Sequence, residues 1–131
     1  MNILLWVVQL LLAAAFSAHG WMLLAPSPEV AAQMNASIPR WFQVFLGTAE
    51  VMAAVGITLP GLTRILPWLV TWAAAGIMIV MVSATAFHVW RGEISGAAIT
   101  FVLLAMATFV AYMRHRVLPI GRPAVVRAEV P

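Results

Sequence analysis

Residues 45–60 read FLGTAEVMAAVGITLP, a run in which one carboxylate, Glu50, stands among apolar, small or weakly polar side chains. Taken from Trp41 to Leu59, the segment is long enough to cross an apolar layer as a helix, and Pro60 with Gly61 supplies a stop signal. A charge facing lipid at that depth is costly, so Glu50 is expected to point into protein, either protonated or paired with a donor. Its own face agrees. Gly47 at i−3, Ala53 at i+3 and Ala54 at i+4 form the small-residue surface along which membrane helices approach closely.

The composition around this segment is that of a membrane protein. Hydrophobic residues make up 64% of the chain and charged ones 8%, with a mean hydropathy of +1.02, whereas soluble domains carry roughly 25% charged residues. A length of 131 residues holds about four spans of roughly 20 residues each and leaves no room for a soluble domain of ordinary size. The net charge of +3 comes from seven basic residues, all arginine. Most of them sit just outside apolar runs, where they serve membrane orientation rather than nucleic acid, and nucleic-acid binding is rejected. The chain has no cysteine, which excludes disulfides, thiolate nucleophiles, Fe–S ligation and covalent haem attachment.

The expected fold is therefore all-α, a polytopic four-transmembrane-helix bundle with helices at about 3–24, 41–59, 67–90 and 97–113. The transmembrane domain is read as residues 1–114 and a basic, disordered cytoplasmic tail as 115–131. The first run, Ile3 to Leu24, is interrupted only by Gln9, Ser17 and His19. It outruns a signal-peptide core and has no basic residue before it, so a retained span is favoured over a cleaved signal. Ala25 to Arg40, with its three prolines, reads as a loop with room for a short interfacial turn. Asn35–Ser37 fits the glycosylation pattern, which is too short to carry weight. Pro67 suits a helix start.

An even number of spans puts both termini on one side. Arg64, Arg114, Arg116, Arg122 and Arg127 fall on that side against Arg40 and Arg91 on the other, so the positive-inside rule places the termini in the cytoplasm of a plasma (inner) membrane. Trp6, Trp21, Trp41, Trp68 and Trp90 lie near the expected span ends, as interfacial anchors do. Glu50 then lies roughly 12 Å below the outer interface, and His19 and His88 lie near the outer ends of their own spans. The three are candidates for a proton-handling site. For Glu50 the functional reading is favoured, because ionisable groups within the bilayer mark sites; for each histidine, hydrogen-bonded structure is the commoner role. Arg40 and Arg91 flank the same outer opening and are candidates to draw in an anionic ligand, with interfacial anchoring as the plainer explanation. No metal site is expected, since there is no close-spaced ligand motif. Non-covalent haem on His19 and His88 is disfavoured, and Met78, Met81 and Met106 form no copper motif.

FLGTAEVMAAVGITLPGLTRILPWL (45–69), followed by a small-residue third helix ending in FHVWRGE (87–93), resembles the DoxX-like family of small four-helix membrane proteins. Gly47, Glu50, Gly56, Pro60, His88, Arg91, Gly92 and Glu93 carry the likeness, which extends from about Ile3 to Arg114. The resemblance implies an accessory subunit of a membrane redox system that handles quinone or quinol, alongside membrane or redox protein partners. It includes no catalytic signature. Family members often place a lysine shortly after the glycine closing the first helix; here Leu23 stands at about that position, which puts any acidic-ligand role of that lysine in question. A non-catalytic scaffold or assembly factor is the alternative, with association into a homo-oligomer open to either. A small-solute transporter is less favoured, because no internal repeat or broken helix pair is evident.

Overall fold

The computed structural model describes residues 2–120; the rest of the expected basic tail, 121–131, lies outside the described residues. The chain forms α1 (Asn2–Leu24), α2 (Pro28–Asn35), α3 (Arg40–Thr63), α4 (Leu69–Trp90) and α5 (Ile94–Tyr112), closing with a π-helical turn at Met113–Val117. Among the described residues there is no strand. Four of the helices, α1, α3, α4 and α5 with its terminal turn, are long and apolar enough to cross a membrane.

Because these spans are apolar all round, hydrophobicity does not choose the face each one buries; small and polar residues do. In α1 the buried positions are Leu5, Gln9, Leu12, Phe16, Gly20 and Leu23, each three or four residues from the next. The matching stripe on α3 runs through Gln43, Gly47, Glu50, Ala54 and Ile57. Helix α1 packs chiefly on α3 and α4 chiefly on α5, with α3 against α4 and α1 against α5 completing the bundle. Leu5, Leu12, Ile57, Val70, Ile77 and Val110 fill its centre. Leu11, Met52, Val55, Ile79, Val82, Phe101 and Val102 are exposed and form the lipid-facing surface.

Three local differences from the sequence reading matter. Helix α3 does not stop at Pro60: it carries that proline buried in its last turn and ends at Thr63, capped by Arg64, whose φ of 58° is left-handed. A proline inside a helix forfeits one backbone bond. Ending the helix there would leave a whole turn of backbone unpaired beside the apolar layer, a greater loss. The connection after α1 is also more ordered than a loop. Ser27 caps α2 by accepting a hydrogen bond from the Val30 N–H at 3.5 Å, with Pro28 in the first turn. Pro26 and Pro39 flank this helix rather than interrupt it. Finally, the helical path beyond α5 persists to Val117, so the assigned tail begins later than position 115. Arg114 holds it in place: it is 5% exposed and donates from Nε to Gln9 Oε1 at 2.7 Å, while Gln9 Nε2 donates to Ile57 O at 2.7 Å.

Candidate functional site

At the end of the bundle opposite the termini, α1 and α3 meet at two glycines. A Cβ on Gly20 would stand 2.9 Å from the Gly47 carbonyl oxygen, and a Cβ on Gly47 would stand 2.8 Å from the Gly20 carbonyl oxygen. Neither position admits a larger residue without the helices parting. This approach sets the side chains beside those glycines against each other: His19 Nδ1 lies 2.6 Å from Glu50 Oε2. One proton must lie between them at that separation. The Glu50 side chain is 3% exposed and that of His19 is 49% exposed, so the pair joins a buried carboxyl to a group that reaches the surface.

The pair forms one wall of a cavity of about 480 Å³. His88 on α4 and Thr100 on α5 contribute polar groups to it, and apolar side chains including Phe16, Met81 and Leu103 line most of the remainder. Gly96 gives His88 its place, since a Cβ there would lie 2.6 Å from His88 Nδ1. Thr85 donates to Thr100 Oγ1 at 2.9 Å and ties α4 to α5 at this level. Met34 and Ile38, from α2 and the segment after it, close over the cavity. That segment is pinned by the buried Gln43, whose Nε2 donates to Asn35 Oδ1 and Ile38 O, both at 2.9 Å.

Of the residues singled out in the sequence, Glu50, His19 and His88 therefore come together on one cavity. Arg40 and Arg91 do not line it. Arg40 donates from Nη1 to Leu23 O at 2.7 Å and from Nη2 to Leu24 O at 2.6 Å, satisfying carbonyls that α1 leaves unpaired at its end. Arg91 donates from Nε to Glu93 Oε1 at 2.7 Å and from Nη1 to Ser37 Oγ at 3.3 Å. The other Glu93 oxygen lies 2.6 Å from His88 Nδ1, and the Arg91 guanidinium sits 5.5 Å from the centroid of the Phe87 ring, so Arg91 touches the cavity wall from behind, through His88 and Phe87. Arg91, first, and His88 hold the Glu93 carboxyl below the ordinary glutamate range by favouring its charged form. Among the described residues, no three acidic or histidine side chains converge closely enough to hold a metal ion.

Gln43, Gly20 and Gly96 were not singled out from the sequence. Gln43 had a legible signal, since it shares with Gly47 and Glu50 the spacing of one helix face. Gly20 and Gly96 are legible only once their partner helices are known.

A four-helix integral membrane bundle, with a buried carboxyl–imidazole pair on an apolar cavity, is the class that fold and site define. The chain belongs to the DoxX-like family, whose match covers residues 7–110 and so includes Glu50, His19, His88 and every other residue lining the cavity. No curated protein and no solved structure gives a significant match to the chain.

Proposed function

We propose that the protein is an accessory subunit of a membrane redox system and that its cavity receives a quinone or quinol. The observation that carries this reading is the Glu50–His19 pair set into an otherwise apolar wall. Quinol oxidation breaks two O–H bonds and releases two protons and two electrons. In this reading the electrons pass to the redox cofactor of a partner oxidoreductase in the same membrane. The two ring hydroxyls give their protons to Glu50 one after the other, and His19, half exposed beside it, relays each outward before the next is taken. Apolar walls suit the ring and its tail, and His88 and Thr100 offer hydrogen-bonding groups to a ring oxygen. Replacing Glu50 with Gln keeps the shape and removes the titratable group. The expected outcome is a loss of quinol-linked activity of about a hundredfold in a protein that still inserts and folds; unchanged activity would remove Glu50 from the mechanism.

The same pair bridges α1 and α3, and this favours one second reading, a scaffold or assembly factor in which Glu50 and His19 only fix the helices. On that account Glu50→Gln lowers the melting temperature and partner recovery, and no quinone is bound. In either role the arginine excess at the termini end orients both termini to the cytoplasm of a plasma membrane. Reporter fusions check this: a cytoplasmic reporter joined after residue 131 should be active, and one inserted between Trp90 and Ile94 inactive.

A further inference from the structure

A second cavity, of about 650 Å³, opens at the termini end between the start of α4 and the turn that follows α5. Arg114, His115 and Arg116 line it on one side, and Trp68, Thr71 and Trp72 on the other. The three acidic residues among those described are Glu29, Glu50 and Glu93, and none of them lines it. Arg114 Nη2 is buried and has no hydrogen-bond partner among the described residues. Arg116 is exposed. A wall carrying fixed positive charge with no facing carboxylate among the described residues, in a chain otherwise poor in charge, is complementary to an anion. Trp68 and Tyr112, at the ends of their spans, are rings suited to the headgroup layer, which fits that anion to the membrane surface. Trp72, Ala75 and Ala111 continue the wall along α4 and α5 with apolar surface.

We propose that this cavity binds the phosphate of an anionic phospholipid, with Arg116 and the Arg114 turn on the headgroup and an acyl chain along the Trp72–Ala111 surface. Basic pockets between membrane helices recognise acidic headgroups in this way, and apolar surface running on from the phosphate position suits a lipid rather than free phosphate. The site is separate from the His19–Glu50 cavity and does not depend on the redox reading.

The test places the full chain in vesicles of phosphatidylcholine and phosphatidylglycerol in equal amounts and counts, by native mass spectrometry, the lipids retained on release. Wild type should hold phosphatidylglycerol in preference to phosphatidylcholine. Arg116→Gln, at an exposed position, should lower that preference about fivefold, the share of one basic group near a charged surface. Arg64→Gln, at the same end but outside the cavity wall, should leave it unchanged. Equal retention of the two lipids by wild type would overturn the proposal. So would an equal loss in Arg64→Gln, which would reduce the effect to diffuse surface charge. Displacement of phosphatidylglycerol by inorganic phosphate at matching concentration would overturn the lipid as occupant.

Discussion

Glu50 and Glu93 are both glutamates within 2.6 Å of a histidine Nδ1, yet their surroundings separate their chemistry. Glu50 is almost fully buried and has one partner, so whichever way its shared proton lies, a change of charge at this pair alters an apolar environment. Glu93 lies outside the spans, is well exposed and is held by a fixed cation, Arg91, as well as by His88. Its carboxyl is depressed below the ordinary glutamate value of 4.5. A depressed group stabilises the folded loop fully above its ordinary value, and that contribution fades as pH falls through the folded value. The α4–α5 connection should therefore keep its full amide protection above pH 4.5, the ordinary glutamate value, and lose it progressively as the pH falls below that. Hydrogen exchange at residues 91–94 measures this, and Glu93→Gln should remove the pH dependence.

Helix pairing sets where the site can form. The α1–α3 contact at Gly20 and Gly47 brings backbone against backbone, and in lipid such packing replaces the hydrophobic drive that soluble helices use. Gly20→Ala forces a Cβ against the Gly47 carbonyl. It should cost about 1–3 kcal/mol, read as a lowered melting temperature in detergent, and should pull His19 from Glu50; an unchanged melting temperature would show that the crossing is not tight. This contact also marks how far the sequence could be read. Glu50 with Gly47 and Ala54 identified the buried face of α3, because a carboxylate among small residues has few other places to go. The four spans were legible from length and apolar content alone. Pro60 misled, since a stop signal in water is tolerated inside a membrane helix. Arg114 was read as the edge of a basic tail because nothing local reports that Gln9, 105 positions away, accepts its hydrogen bond.

At the scale of the molecule the polar groups are partitioned between two ends of an apolar bundle. One end gathers His19, Glu50, His88 and Glu93 around a cavity closed by α2. The other gathers Arg114, His115 and Arg116 where no described carboxylate faces them. Between them the spans offer mostly lipid-facing side chains. The proposed function requires that the Glu50–His19 cavity hold a quinone and that the chain work beside an oxidoreductase. Mass spectrometry of everything retained when the chain is purified from its native membrane in mild detergent tests it most directly. A stoichiometric quinone together with an oxidoreductase subunit is the expected result; recovery of non-redox membrane proteins with no quinone would contradict the proposed function and leave the Glu50–His19 pair as a structural tie.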